Sequence, residues 1–370
     1  MREARSQKSE ARRCKAKWAV LVIGLVAGAC WSVPAVAADA GSTAAVAERP
    51  NQVTGEELTP EATAAIEKGL KWLASRQQKD GSFGGGSPTA VTSLSAIAMM
   101  ASGSLPGRGP YGENVQRAMQ YTLNSSQRSG LLTSDGAQTT MYSHGFATLF
   151  MAEVYGMTQD EQVGETLSRG VRLIKQSQNE EGGWRYMPIP ADADISVTIC
   201  QVMALRAARD AGIKVEREVI DKAVEYVRKC QNPDGGFSYQ ANRGFGGGGS
   251  GFERSAAGVA TLYYAGVFEG NDLKRGLEYI ARFEPGKNRN QGFGHYYYGQ
   301  YYAAQAMFLA GGEYWASWYP AIRDELVHRQ KGAGNWEGEI APEYCTAAAL
   351  IVLQMPNRYL PVFTGKGPGG

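Results

Sequence analysis

Cysteine and histidine are scarce in this chain, with five and three residues among 370. Beyond the first 37 residues only Cys200, Cys230 and Cys345 remain, odd in number and with no close pair, so no disulfide framework is written here. The histidines are His144, His295 and His328, and neither they nor the cysteines have ligand spacing. No metal and no cofactor are expected. Runs of Lys or Arg are also missing once the N-terminus is set aside, which argues against a nucleic-acid partner. The glycine-rich loop Phe245–Gly251 ahead of Arg254 has no Gly-Lys-Ser/Thr and no preceding strand. It reads as a connection at a rim and not as a phosphate cradle.

Long hydrophobic runs are confined to one place. Residues 1–17 carry seven Lys or Arg against Glu3 and Glu10, an apolar run from Trp18 to about Val33 follows, and Ala35-Val36-Ala37 ends it. This order makes 1–37 a secretory signal cleaved near Ala37, and the protein is expected to be exported to the periplasm or beyond. The alternative is an uncleaved anchor, since 18–38 contains no charge and is just long enough to span a bilayer. Cys30 and Arg12-Arg13 are poor matches to lipoprotein and twin-arginine signals. Without 1–37 the formal charge falls from +2 to −3, so the basic balance belongs to the leader.

What the chain has in quantity is repetition. At intervals of about fifty residues a Gln is followed by a Gly-bearing turn and an aromatic. The phrase reads Gln77…Gly81-Ser-Phe83, Gln178…Gly182-Gly-Trp184, Gln231…Gly235-Gly-Phe237 and Gln330…Gly334-Asn-Trp336, with weaker copies at Gln127-Arg-Ser-Gly130 and Gln291-Gly292-Phe293. A fixed period means one supersecondary unit used repeatedly. Gly permits a turn that a Cβ forbids, the aromatic packs over it, and the Gln amide can serve free helix-end groups.

An amphipathic helix precedes each phrase, with apolar triplets such as Ile66/Leu70/Leu73, Leu167/Val171/Ile174 and Trp318/Ile322/Leu326. A second helix, almost uncharged, follows it: Thr92–Ala101, Tyr142–Tyr155, Ser196–Ala211, Ser255–Ala265, Tyr301–Ala310 and Cys345–Gln354. A helix apolar on most sides is buried on most sides. Gly103, Gly156, Gly212, Gly266 and Gly311 are placed to stop these inner helices. The expected fold is all-α, a double-walled α/α barrel of about six outer–inner helix pairs over 62–362. A linker is expected over 38–61 and a loose tail over 363–370.

The Gln–Gly–aromatic phrases between outer and inner helices resemble the repeats of squalene and oxidosqualene cyclases, and the helix-pair order is similar to protein prenyltransferase β-subunits. The resemblance covers the mature chain and implies an α/α toroid with a central cavity. It also places an acid motif, Asp-x-Asp-Asp-Thr, ahead of the third inner helix. Here that stretch is Asp192-Ala-Asp194-Ile195, so the resemblance makes Asp192 and Asp194 the candidate catalytic carboxylates, with Ile195 in place of the last. Read from the residues alone, Asp194 is a helix N-cap. The prenyltransferase zinc set is not matched, because Glu343-Tyr344-Cys345-Thr346 has Cys345 where those enzymes carry His and no Asp-x-Cys pair precedes it. The stretch Gly-Cys-Gly-Glu-Gln of thioester-bearing toroids is absent.

Candidate ligand contacts are His144 and His295, the aromatic run with Tyr296, Tyr298 and Tyr301, and Glu343 with Cys345. The tyrosines can hold an apolar or cationic ligand against their faces, or pack between helices with their hydroxyls satisfied. These features point to an exported binding or interaction module for an apolar small molecule or another exported protein. Membrane contact is expected only through 18–38 if that segment is retained. The alternative is a cyclase-like isomerase with Asp194 as general acid, and a zinc prenyltransferase stands third.

Overall fold

A computed structural model describes residues 57–363 apart from 134, 136–139, 242–247, 288–293 and 339. The expected signal, most of the expected linker, the weak phrase at Gln291–Phe293, the first part of the glycine loop and the tail after Phe363 lie outside the described residues. The described residues contain twelve α-helices, with no β-strand among them. Six form an outer wall: α1 (Pro60–Ser75), α3 (Gly112–Asn124), α5 (Glu161–Gln176), α7 (Arg217–Lys229), α9 (Asn271–Ala281) and α11 (Gly312–Arg329). Six form an inner wall: α2 (Pro88–Met100), α4 (Thr140–Thr158), α6 (Ile195–Asp210), α8 (Phe252–Tyr264), α10 (Tyr296–Ala310) and α12 (Pro342–Gln354).

The burial pattern separates the walls. In α5 the residues Val163, Leu167, Val171 and Ile174 form one buried stripe, whereas α2 is buried at all but its first residue. Each inner helix packs on the next, and α12 returns to pack on α2, so the ring closes. Thr59 starts α1 by accepting the N–H of Ala62, with Pro60 in the first turn where its missing N–H costs nothing. Glu57 is buried and accepts the Trp315 indole N–H at 2.7 Å, so the packed body already includes the last residues of the expected linker. Four of the five expected glycine stops have positive φ, between 66° and 94°. Gly156 does not stop α4; it lies inside the helix, which ends at Thr158 with Gln159 taking the left-handed conformation.

The repeated phrase turns out to be a rivet with three parts. In the four strong copies the Gln amide donates twice. Gln77 reaches the carbonyls of Gly81 and Asn114, Gln178 those of Gly182 and Val219, and Gln231 those of Gly235 and Asp272. One acceptor is its own turn and the other is the first turn of the next outer helix. Gln330 reaches Gly334 and Ala65, the latter in the second turn of α1, which joins α11 to α1 and closes the outer wall. The glycines have φ between +90° and +104° and lie against the following outer helix. The aromatics Phe83, Trp184, Phe237 and Trp336 are fully buried. Their backbone N–H groups donate to hydroxyls near the start of the next inner helix, on Thr92, Thr198, Ser255 and Thr346 at 2.8–3.1 Å.

The far end of the inner ring is covered by the turn Pro361–Phe363, where Val362 and Phe363 are buried and the Val362 N–H donates to Glu153 Oε1 at 3.2 Å. Phe363 therefore packs on the body instead of starting the tail. The other Glu153 oxygen has no hydrogen-bond partner, and burial raises this carboxyl from its ordinary 4.5 to about 8. The folded chain thus holds the proton more tightly than the unfolded chain. Its contribution is fully present below pH about 4.5 and is lost as pH rises to about 8. Glu153→Gln keeps an acceptor for Val362 and removes the titration. Denaturant midpoints at pH 5 and pH 8 should therefore converge in the variant, with a gain on the order of a few kcal/mol at pH 8.

Candidate functional site

The N-terminal ends of the inner helices meet at one rim, where most of the sequence candidates fall. Asp194 is fully buried and caps α6. Its Oδ1 accepts the N–H groups of Ser196 and Val197, both at 2.9 Å, and the Ser196 hydroxyl at 2.6 Å. Its Oδ2 has no hydrogen-bond partner, with Arg185 Nε 3.8 Å away. Burial raises the Asp194 pKa, opposed by the bonds from Ser196 and Val197. Asp192 stands half-exposed in an ion pair with Arg185, and its Oδ1 also accepts from Ala193 N and Gln240 Nε2. The two carboxylates therefore share one arginine and differ in role: one fastens the helix start and the other ties down the loop before it.

Beside this cap four of the expected ligand contacts come together. His295, Tyr296, Tyr298 and Cys345 line a pocket of about 190 Å³ between the first turns of α10 and α12. Tyr297, Tyr344, Arg329, Glu337, Gly338 and Ile340 complete its lining. Tyr298 joins the pocket to the α6 cap, since its hydroxyl donates to the Ser196 carbonyl at 3.3 Å. The Tyr296 hydroxyl donates to Glu325 at 2.9 Å, and the Arg329 guanidinium lies 4.2 Å from the Tyr296 ring centroid. Burial pushes the Tyr296 and Tyr298 phenols well above their ordinary pKa, so both stay protonated.

Three candidates are elsewhere. Tyr301 points to the barrel axis, where its ring meets Phe146 edge-on at 6.4 Å and its hydroxyl approaches Met203 Sδ at 3.8 Å. Phe146 is on α4 and Tyr301 on α10, opposite members of a ring of six, so side chains close the axis at this level. Cys200 and Tyr302 pack at the same depth, Sγ to hydroxyl 3.2 Å, and burial raises that thiol to about 12. The central cavity implied by the resemblance is filled here. Glu343 faces a separate polar groove of about 430 Å³ on the other side of the α12 start, paired with Arg76 at 3.0 Å.

His144 belongs to the scaffold. Leu132 occupies the aromatic position of the weak second phrase, and its N–H donates to His144 Nδ1 at 3.1 Å. This is the bond that Thr or Ser makes in the four strong copies, and His144 is likewise near the start of its inner helix. Its Nε2 faces the Gly170 carbonyl at 3.2 Å, and burial lowers its pKa to about 4, so the ring is neutral at pH 7. Sequence reading missed Arg185, Tyr297, Tyr344 and Arg329. Tyr297 and Tyr344 adjoin residues already selected, whereas nothing near Arg329 in sequence marks it. Among the described residues no group of three or more His, Cys, Asp or Glu is placed to hold a metal ion, and no helix is long and apolar enough to cross a membrane.

A closed double ring of paired helices with riveted turns defines an α/α toroid. The profile of the prenyltransferase alpha-alpha toroid domain matches residues 53–293, and the chain belongs to that family. No curated protein matches it by sequence. Among solved structures it is similar to the cellobiose 2-epimerase from Spirochaeta thermophila DSM 6192, with 12% identity, TM-score 0.60, and coverage of 80% of this chain and 96% of that one. An inactive α-1,6-mannanase variant from Salegentibacter sp. HEL1_6, in complex with α-1,6-mannotriose, gives 11% identity, TM-score 0.59, and coverage of 80% and 99%. A variant of the type II terpene cyclase MstE from Scytonema, in complex with geranylgeranyl dihydroxybenzoate, gives 14% identity, TM-score 0.52, and coverage of 81% and 98%. At these identities the likeness is one of fold, which hosts several chemistries.

Proposed function

We propose that this protein is an exported, single-toroid binding module whose site is the tyrosine pocket at the α10–α12 rim. The observation that carries the reading is the contrast between a closed axis and an open rim: Phe146 and Tyr301 meet across the barrel, while about 190 Å³ stays open among tyrosine rings. Size narrows the occupant. A cavity of about 150 Å³ accommodates benzene, and sites for drug-sized ligands run to about 300–1,000 Å³. The pocket therefore suits one ring-sized apolar group, on a small molecule or on a segment of another exported protein, and is too small for a folded polyprene.

The isomerase reading has one observation in its favour, a buried Asp194 carboxyl with a raised pKa whose Oδ2 faces Arg185 at 3.8 Å. The other oxygen is committed to two backbone N–H groups and a serine hydroxyl. Calorimetric titration of the mature chain with toluene should give saturable binding at a millimolar Kd or tighter, about −4 kcal/mol. Tyr298→Ala should weaken it by removing the pocket wall. Turnover of squalene, lost on Asp194→Asn, would overturn the binding reading.

A further inference from the structure

Two inner helices begin at the tyrosine pocket. The first turn of α10 supplies Tyr296, Tyr297 and Tyr298 to its wall, and the first turn of α12 supplies Tyr344. Neither start has a side-chain cap: His295 makes no cap bond to α10, and Ala341 ahead of α12 has no group that could. Free first-turn N–H groups and aligned peptide dipoles give each start the equivalent of about half a positive charge.

A second observation is independent of the helix ends. Tyr297 and Tyr344 are each only 7% exposed, both line the pocket, and their hydroxyls take part in no hydrogen bond among the described residues. Neither hydroxyl is sealed from solvent, so a group entering the pocket can take the place of water on it. Burial also holds both phenols above their ordinary pKa, so each presents an O–H donor. The charges nearby are of both signs. Arg329 lies over Tyr296 and is paired with Glu325 at 2.8 Å, and the exposed Glu337 accepts from Asn335 at 3.1 Å. The guanidinium already occupies the Tyr296 face and is neutralised by Glu325, so what favours an anion here is the two helix starts and the two hydroxyl donors, against the single exposed carboxylate of Glu337.

We infer that the pocket takes a small carboxylate with a ring-sized apolar body, its ring among the tyrosines and its carboxylate accepting from the Tyr297 and Tyr344 hydroxyls. This rests on the pocket being the binding site, and the test separates the two claims. The mature chain is titrated at pH 7 and constant ionic strength with benzoate, toluene and benzylammonium, which share one ring and differ in charge. Benzoate should bind at least tenfold more tightly than either of the others. Tyr344→Phe, which removes a hydroxyl and nothing else, should weaken benzoate at least fivefold and leave toluene within twofold; Tyr297→Phe repeats the test if that variant does not fold. Equal affinity for all three, or tightest binding of benzylammonium, overturns the carboxylate inference and leaves the pocket reading standing. Benzoate binding unaltered in both variants overturns it as well, because the anion would then lie elsewhere. Failure of all three probes to bind removes both claims.

Discussion

Trp336→Ala should destabilise the protein by about 3–5 kcal/mol, the range for emptying a large buried aromatic site. The indole lies at the seam of both rings. A Cβ on Gly69 of α1 would come within 2.7 Å of it, its Nε1 donates to the Leu326 carbonyl of α11 at 2.8 Å, and its own N–H donates to Thr346 of α12 at 3.0 Å. Alanine leaves a cavity among three helices and an unpaired carbonyl. Against a total stability of about 5–15 kcal/mol this is a large fraction, so the seam between last and first repeats should open first. Guanidinium unfolding of wild type, Trp336→Ala and Trp336→Phe reads it out. Phe keeps most of the ring and loses the indole donor, and should fall between the other two. Equal midpoints for all three would show that the seam does not hold the toroid closed.

Gly182→Ala should be nearly as damaging, at about 3 kcal/mol or more, for a different reason. Gly182 has φ +98°, and an added Cβ would lie 2.1 Å from the Lys222 carbonyl oxygen in α7. The backbone strain costs on the order of 1–3 kcal/mol, and a clash with helix backbone adds a further 1–3 kcal/mol or so. Gly212 separates the two costs, with φ +94° and nothing within 4 Å of the added carbon. Gly212→Ala should therefore show only the strain, and the gap between the variants measures how tightly the rivet holds the next outer helix. If the two cost the same, the close approach contributes nothing.

Much of this scaffold was legible in sequence because its determinants are local. The four-residue spacing from Gln to Gly lets the amide reach back to its own turn, and the buried triplets of outer helices follow the helical period. The second bond of each Gln, to the next outer helix, was not legible as such; it spans 37–41 residues in the three internal copies and 265 at the closure. The hydroxyl partners of the aromatic N–H groups were hidden for a related reason. Their separations of 9, 14, 18 and 10 residues vary with loop length, so no motif recorded them. Only when these bonds are superposed does His144 fall into the same place, 12 residues after Leu132.

At the candidate site the division is sharper. The Asp194 cap could be read from its place ahead of an apolar helix, because capping reaches only the N–H groups two and three residues on. The sequence by itself determined the repeat, the two walls and the turns that fasten them, all of which rest on spacing and on which residues tolerate a left-handed turn. Tertiary structure alone decided whether the axis is hollow, which tyrosine hydroxyls find partners, and that Glu343 and Cys345, two residues apart, face different recesses. Those outcomes depend on side-chain volumes summed across opposite helices and on the rotation of each helix about its axis. Neither quantity is carried by any one segment of the chain.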